Sequence, residues 1–340
     1  MLDFVKRLKY TSAFLRRDFV HMNLQLLYQC NFRCRICDFW KPRYEDMPKL
    51  SAADVRAMVE KLPAPMIVSI GGGEPLLNPE LIDIIKILSE KHFPVMICNG
   101  WYVTPENAKE MLQAGLHEIS VSVDYADPKK HDKQRGMEGA FEKAINALDT
   151  LNKCRTSEYQ RVHMISVVMD DNLEEIEPLI RLSGEMGITY LLTFYSHNRG
   201  KKDRRNADVD ISDYLLKLQK KYPHFVAIRS YIERFTDAVQ EGGIRPCYGG
   251  KNFLNIDCQG NVSRCIDRLE ETAGNILTDS FDEIRKSLLQ HYQNNDCGNC
   301  WTSCRGNFET LMYGKHPIRN LMDSYQVTRS IPLVTTSERV

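Results

Sequence analysis

The sequence predicts an α/β fold, a partial (β/α)6 TIM-like barrel followed by a small C-terminal β-hairpin/helix domain. Two observations carry this prediction. Between residue 23 and about residue 194, short apolar runs alternate with amphipathic helical stretches, and alternating units of this length favour a parallel sheet with right-handed crossovers. Beyond residue 235 that alternation stops and a turn-centred hairpin pattern replaces it, which indicates a second folding unit.

Each barrel strand is predicted from a short apolar run bounded by turn residues. The helices between them are predicted from apolar spacing and from their ends: Ser51 can accept from early backbone amides, while Pro105 and Gly115 suit a helix start and a helix end. The predicted strands cover residues 23–27, 66–70, 95–98, 118–123, 162–168 and 190–194, and the predicted helices cover residues 51–62, 81–91, 104–115, 140–151 and 173–186.

Four parts of the chain are expected. Residues 1–22 form a basic amphipathic segment, residues 23–235 the barrel, residues 236–310 the small C-terminal domain, and residues 311–340 a tail. The first segment has the pattern of a helix in weak contact with a membrane surface, and equally that of a helix covering one end of a barrel. Residues 197–210 read as a charged, solvated loop that could also reach over a substrate.

Composition narrows the possible functions. Lys and Arg total 45, as do Asp and Glu, so no overall positive field attracts nucleic acid. The 11 cysteines occur in a chain without a signal-peptide pattern, which favours metal ligation in a reducing compartment over disulfides. No apolar run reaches the roughly 20 residues that span a bilayer. We therefore expect a cytoplasmic protein that does not bind nucleic acid.

Three cysteines lie within eight residues, just after the first predicted strand. Cys30, Cys34 and Cys37 follow the spacing C-x3-C-x2-C. Three thiolates leave a tetrahedral or cubane metal centre one ligand short, and an open position is what a catalytic metal needs. The alternatives at this point are a zinc knuckle completed by a distant histidine, or chance spacing.

The spacing resembles the signature of the radical S-adenosylmethionine (radical SAM) enzymes. The resemblance implies that Cys30, Cys34 and Cys37 hold a [4Fe–4S] cluster and act as the catalytic centre, with SAM chelating the fourth iron. In that family the residue before the last cysteine is usually aromatic and packs near the adenine; here it is Ile36. The resemblance also implies the incomplete barrel, with functional residues at the carboxyl ends of the strands.

Further motifs fall at those strand ends. The run after the second strand resembles the family's GGE motif, which implies that Gly72, Gly73 and Glu74 hold the SAM amino group. The turn after the third strand contributes Asn99. On the fourth strand, Ser122 and Asp124 share one face and match the family's ribose-binding position. Arg135 could pair with the SAM carboxylate or form an ordinary surface salt bridge. The predicted SAM-binding residues are Gly72, Gly73, Glu74, Asn99, Ser122, Asp124 and Arg135.

A second cysteine set occupies the C-terminal domain, around a predicted hairpin (residues 253–256 and 262–265) and a predicted helix (residues 280–290). A domain this small needs an additional stabilising element, such as a bound metal centre. Its spacing resembles the SPASM or shorter twitch extension of radical SAM enzymes, which implies one auxiliary [4Fe–4S] cluster; a zinc ribbon on the same thiols is the alternative. The predicted ligands are Cys247, Cys265, Cys297 and Cys300, with Cys258 and Cys304 left over.

The resemblance implies an enzyme that takes an electron from a donor such as flavodoxin or ferredoxin. Reductive cleavage of SAM then yields a 5′-deoxyadenosyl radical, which removes hydrogen from a substrate C–H bond. SPASM-type relatives often oxidise or cross-link peptides, so peptide maturation is expected, or another oxidative biosynthetic step. The alternatives are a dehydrogenase or adenosyl-transfer enzyme acting on a sugar-like, lipid or isoprenoid substrate and, from another class, a non-catalytic iron–sulfur or zinc scaffold.

Overall fold

A computed structural model describes residues 18–169, 171–194, 210–328 and residue 333. The basic segment predicted for residues 1–22 lies mostly outside these residues, and so does the charged loop. Within them, the first strand begins at His21 and takes in the end of that predicted segment. The predicted boundary between barrel and C-terminal domain stays a prediction.

Nine strands form one open sheet in the described part of the chain. Its order is β6-β5-β4-β3-β2-β1-β7-β8-β9, in which β1 to β7 pair in parallel and β7, β8 and β9 pair in antiparallel fashion. The strands are β1 (His21–Leu27), β2 (Ile67–Gly72), β3 (Phe93–Cys98), β4 (Glu118–Ser122), β5 (Arg161–Val168), β6 (Thr189–Phe194), β7 (Phe253–Ile256), β8 (Asn261–Ser263) and β9 (Thr272–Asn275).

Helices fill the crossovers, as the alternating pattern predicted. Ser51, Thr104 and Ser280 each form a capping box, in which the side chain accepts from the third helical amide and that residue's side chain accepts in return. The α-helices are α1 (Ala52–Lys61), α2 (Leu81–Lys91), α3 (Pro105–Gln113), α4 (Pro128–Arg135), α5 (Ala140–Cys154), α6 (Leu173–Glu185), α7 (Ile211–Lys221), α8 (Arg229–Ile232), α9 (Phe235–Gln240), α10 (Phe281–Gln293), α11 (Ser303–Tyr313) and α12 (Pro317–Thr328). No helix in the described ranges has the length and apolarity needed to cross a membrane.

The partial barrel is confirmed: six parallel strands, β1 to β6, form a sheet that does not close. Strand β1 lies in the interior of the full sheet, and all seven of its residues are buried. It is covered on one edge by β2 and on the other by β7, so the C-terminal hairpin continues the barrel sheet. The hairpin and the helix of the C-terminal domain were both predicted; the parallel β1–β7 pairing was not.

Helix α11 lies across the open side of the barrel, between the outermost barrel strands. At its start the Ser303 amide donates to the Thr193 hydroxyl on β6 at 2.9 Å. One turn further on, Phe308 stacks on His21 of β1 with ring centroids 4.6 Å apart. The helix therefore brings residues of the C-terminal domain against the barrel interior, an arrangement that the sequence did not predict.

Candidate functional site

The cysteine loop that follows β1 is held by backbone hydrogen bonds on two sides. Beside β2, the Gly73 amide donates to the Leu27 carbonyl at 2.7 Å and the Glu74 amide donates to the Gln29 carbonyl at 2.9 Å. Beside α4, the Arg33 amide donates to the Arg135 carbonyl at 3.1 Å. The loop conformation is thus fixed by its neighbours before any metal binds.

All three predicted thiols of this loop line one cavity of about 310 Å³ at the carboxyl end of the barrel. Cys34 is buried, and Cys30 and Cys37 are half-buried. Burial raises the pKa of Cys30 to about 12 and that of Cys34 to about 11, although the Arg135 guanidinium opposes the rise at Cys34. Protons therefore have to leave these sulfurs when a metal binds.

The two glycines predicted to contact SAM are required by backbone packing. A Cβ on Gly72 would lie 2.2 Å from the Leu27 carbonyl oxygen, and one on Gly73 would lie 2.0 Å from the Gln29 carbonyl oxygen. Gly72 also has φ near +114°, which side-chain-bearing residues rarely adopt. Gly71 differs, since a Cβ there would have no atom within 4 Å. Its missing side chain leaves room in the cavity, a role that sequence reasoning overlooked.

Glu74 is buried at the same edge of the sheet. One carboxylate oxygen accepts from the Asn99 amide at 2.8 Å and the other from the Leu76 amide at 3.2 Å. Burial raises its pKa to about 7, so a cation or an amino group placed beside it would favour the ionised form. The Asn99 side chain donates to the Asn31 side chain at 2.8 Å, which ties β3 to the cysteine loop. Glu74 and Asn99 both line the cavity, as expected of SAM contacts.

Ser122 lines the cavity, but its predicted partner Asp124 does not. Asp124 is fully buried, and one of its oxygens accepts from the Val167 amide at 2.9 Å. The other lies 2.7 Å from the Arg135 guanidinium. That second oxygen makes an ion pair with Arg135 and no hydrogen bond within the described residues. Ribose binding by Asp124 stays a prediction.

Arg135 lines the cavity and is 8% exposed. Its Nη2 is ion-paired with Asp124 at 2.7 Å, and its Nε makes no hydrogen bond in the part of the chain that the structure describes. The Nε donor is thus left for an anionic ligand such as a carboxylate. Asn172 is fully buried, and its side chain donates to the carbonyls of Asp124 and Val167. It joins the ends of β4 and β5.

The second cysteine set converges on a separate site beneath α11. Five thiols line it: the predicted ligands Cys247, Cys265, Cys297 and Cys300, together with Cys304. Cys304 lines the barrel cavity as well, so it lies between the two sites. Cys258 is elsewhere, packed against Tyr28 and Phe39. Of the two remaining cysteines, Cys98 is buried in the wall of the barrel cavity and Cys154 is half-buried at a helix end.

Two arginines accompany these thiols. The Arg305 guanidinium is 1% exposed and donates to the carbonyls of Cys300, Ile244 and Pro246 at 2.6 to 2.9 Å. Arg268 hydrogen-bonds to Cys297. Burial raises the pKa of Cys247 to about 12, and Arg305 opposes that rise. Positive charge at this place offsets the negative charge that several thiolates would bring.

Comparison with known proteins agrees with this geometry. Residues 24–183 match the Radical SAM superfamily. The chain is 27% identical over 286 residues to an AdoMet-dependent heme synthase of Methanosarcina barkeri (76% of this chain, 80% of the relative). It is 26% identical over 307 residues to the mycofactocin maturase MftC of Mycobacterium ulcerans (83% of this chain, 80% of the relative). Native anSMEcpe with bound AdoMet and Cp18Cys peptide shares the fold, with a TM-score of 0.61 at 15% identity (91% of this chain, 99% of that chain).

The chain carries a radical SAM domain over residues 24–183. It is an enzyme of the SPASM or twitch type whose cofactors are an iron–sulfur cluster and SAM, as the motifs predicted. The residues present fit these groups: each cysteine of a cubane binds a different iron, so the three thiols of the loop need to surround a cavity. In the described ranges, no three His, Cys, Asp or Glu side chains are arranged to hold a single metal ion.

The roles of Gly71 and Gly73 in this radical SAM site can be distinguished by making the same Gly-to-Ala substitution at each position. Gly73→Ala forces a Cβ onto the Gln29 carbonyl oxygen and should destabilise the protein by about 1–3 kcal/mol, with loss of iron from the cysteine loop. Gly71→Ala meets no protein atom and should leave stability within about 0.5 kcal/mol while weakening SAM binding. Thermal unfolding, iron analysis and anaerobic calorimetry measure the three effects. Equal stability losses would contradict the difference in packing, and unchanged SAM binding by Gly71→Ala would show that cavity space at Gly71 is unimportant.

Glu74 should contribute a charge-assisted hydrogen bond to the SAM amino group. Glu74→Gln is therefore expected to weaken SAM binding ten- to a hundredfold, which corresponds to about 1.5–3 kcal/mol, without removing iron. Glu60→Gln is the matched control, because Glu60 pairs with Lys91 on the surface. If calorimetry found the same SAM affinity in both variants, Glu74 would be no more than a link between β2 and β3.

Proposed function

We propose that this radical SAM enzyme removes hydrogen from a side chain of a peptide and thereby oxidises or cross-links it. The observation that carries the proposal is the shared wall of the two thiol sites. The barrel cavity is bounded by the cysteine loop on one side and by Thr302, Ser303 and Cys304 on the other, and Cys304 also lines the second thiol site. A substrate in this cavity would be held between two redox centres.

The residues around the cavity have different roles in the proposed reaction. Cys30, Cys34 and Cys37 would hold the cluster, while Glu74 and Arg135 would bind the amino and carboxylate groups of SAM. Gly71 leaves space for SAM. The rest of the proposed SAM-binding edge of the cavity is formed by Gly72, Gly73, Asn99 and Ser122. When bound, the reduced cluster and SAM supply methionine and a 5′-deoxyadenosyl radical by a one-electron cleavage. The apolar wall around Ile36 limits the access of solvent to this space.

An oxidation that begins with hydrogen abstraction needs an acceptor for a second electron. An auxiliary cluster on Cys247, Cys265, Cys297 and Cys300 would accept it, while a proton leaves the substrate. The position of this site directly behind the start of α11 supports that role. A low-potential donor of the flavodoxin or ferredoxin class would supply the first electron.

A peptide substrate is supported from two directions. MftC, one of the relatives over most of the chain, is a maturase, and anSMEcpe, which shares the fold, has been solved with a bound peptide. The heme synthase relative points to a tetrapyrrole instead, but heme and its precursors carry carboxylates. Arg135 is the only cationic side chain among the described residues that line the cavity, and we assign it to SAM. Dehydrogenases of sugar-like or lipid substrates are not favoured.

The cellular location is inferred from the cysteines and the cofactors. Eleven cysteines and oxygen-sensitive cofactors suit a reducing interior, so we infer a cytoplasmic location. Weak membrane contact through residues 1–17 remains part of the proposal, and that segment lies outside the described residues.

Peptide modification can be tested with a guest panel: nine-residue, end-blocked Gly/Ala peptides that carry one of the twenty amino acids at the centre. The reconstituted enzyme, SAM and dithionite should form 5′-deoxyadenosine at least tenfold faster with some guests, and the peptide should lose two hydrogens. Deuterium on the guest side chain should appear in the 5′-deoxyadenosine.

A variant with Ala at Cys30, Cys34 and Cys37 is the control and should form no 5′-deoxyadenosine. It should keep the second metal centre, because the second cysteine set lies on other elements. Stimulation by a metalloporphyrin carboxylate but by no peptide guest would replace the proposal with a tetrapyrrole reaction.

The proposed auxiliary cluster leads to a prediction of the iron content of the protein. We expect about eight irons per chain, as two four-iron cubanes with all-cysteine ligation of the second. Ala at Cys265 or Cys297 should lower the count and destabilise the C-terminal domain. Ala at Cys258 or Cys304 should leave it unchanged, which makes these two the matched controls. About four irons with stoichiometric zinc would indicate a zinc ribbon, and about twelve would indicate a third cluster.

A further inference from the structure

Two amide side chains of β1 line the barrel cavity below the proposed SAM site. Asn23 and Gln25 are 8% and 1% exposed, and they face the cavity interior together with Ser69 of β2. We call Asn23 and Gln25 the amide floor. None of the roles assigned above to SAM or to the clusters uses it.

The amide floor has hydrogen-bonding capacity that the protein does not use. The buried Asn23 Nδ2 has no partner, and its side chain makes no hydrogen bond within the described part of the chain. The Gln25 Oε1 accepts from the Tyr28 hydroxyl at 2.8 Å and from the Asn255 amide at 3.4 Å, while its Nε2 has no partner. Whichever way the Gln25 side-chain amide is oriented, either its oxygen or its nitrogen lacks a hydrogen-bond partner.

Unpaired buried polar groups cost free energy, so a protein keeps them where a ligand completes them. Ser69 provides the contrast. It lies opposite Asn23 in the sheet register, yet its hydroxyl is already paired with the His21 ring at 2.9 Å. The Ser69 hydroxyl is therefore satisfied internally, whereas the Asn23 Nδ2 and the Gln25 Nε2 are not.

The amide floor extends below the residues assigned to SAM. Gln25 pairs with Gly71 in the sheet register, beside the space assigned to SAM, and Asn23 pairs with Ser69 two residues deeper. Asn23 therefore precedes the end of β1 at Leu27 by four residues, which is about 14 Å at the usual rise of a strand. A group that reaches the amide floor must extend from the mouth of the cavity into the barrel, as a side chain does.

We propose that the amide floor binds the tip of the substrate side chain, and that this tip is a neutral group able both to donate and to accept hydrogen bonds. A primary amide or a hydroxyl fits, because each floor residue offers an amide of its own. A substrate side chain with an anionic tip would find no cationic partner among the described residues at this depth of the cavity. This inference rests on the proposed peptide function and names the class of side chain that the enzyme selects.

The guest panel tests the inference. For the wild-type enzyme, Asn, Gln, Ser and Thr guests should stimulate 5′-deoxyadenosine formation more than Asp, Glu or Leu guests. Asn23→Leu should reduce kcat/KM for the neutral polar guests at least tenfold and leave the SAM dissociation constant unchanged. Its Tm should hold or rise, because the variant removes a buried polar group that has no partner.

Two further variants separate recognition from packing. Asn152→Leu, the same substitution at a buried Asn whose side chain is hydrogen-bonded to Met186 and Arg155, should lower the Tm and retain wild-type kcat/KM and guest preference. Gln25→Glu keeps an acceptor for Tyr28 and Asn255 but places a carboxylate in the floor, so it should raise the response to a Lys guest relative to a Gln guest.

The outcomes are distinct. No stimulation of the wild type by any guest defeats the proposed peptide function. Stimulation that is strongest with acidic guests, or a guest preference unchanged in Asn23→Leu, leaves the peptide function standing and overturns the role of the amide floor. A fall in Tm of Asn23→Leu that matches that of Asn152→Leu would show a structural role and overturn it as well.

Discussion

The close approach of the end of β2 to the start of the cysteine loop is the constraint on which the site depends. Two successive backbone hydrogen bonds, from Gly73 and Glu74 to Leu27 and Gln29, leave no space for a Cβ. The loop that carries three thiols therefore begins at a fixed point of the sheet. The same contact sets the Glu74 carboxylate against β3, so cluster site and SAM site share one backbone junction.

Strand β1 gives the two thiol sites a common frame. It pairs with β2 on one edge and with β7 on the other, and the β7–β8 hairpin leads directly to Cys265. Helix α11 then returns across the open barrel and places Cys304 at the wall between the sites. Because these links are main-chain hydrogen bonds and buried helix packing, the separation of the sites is set by the fold and does not depend on a flexible linker.

Periodicity and capping residues were sufficient to predict the barrel strands and most of the helices, because those signals are local. Ser51 and Thr104, for example, start helices through bonds made within four residues. The cysteine spacings were also local, and both thiol sets converge where they were expected. What escaped prediction depends on distant partners. For Asp124, the alternation with Ser122 was visible in the sequence, while its contact with Arg135 was not. The positions of α11 and Cys304, and the room left at Gly71, exist only once the chain is folded.

The hydrogen bonds of Gln25 lead away from the cavity. Its amide meets Asn255 on β7, Asn255 donates to the Ser263 hydroxyl at 3.2 Å, and Ser263 donates to the carbonyl of Cys265 at 3.1 Å. Barrel and C-terminal domain are therefore joined by buried side chains as well as by the sheet. Exchanging the C-terminal domain with that of a relative would break this chain of contacts unless β1 were exchanged with it, so the two units are expected to evolve as one inherited block.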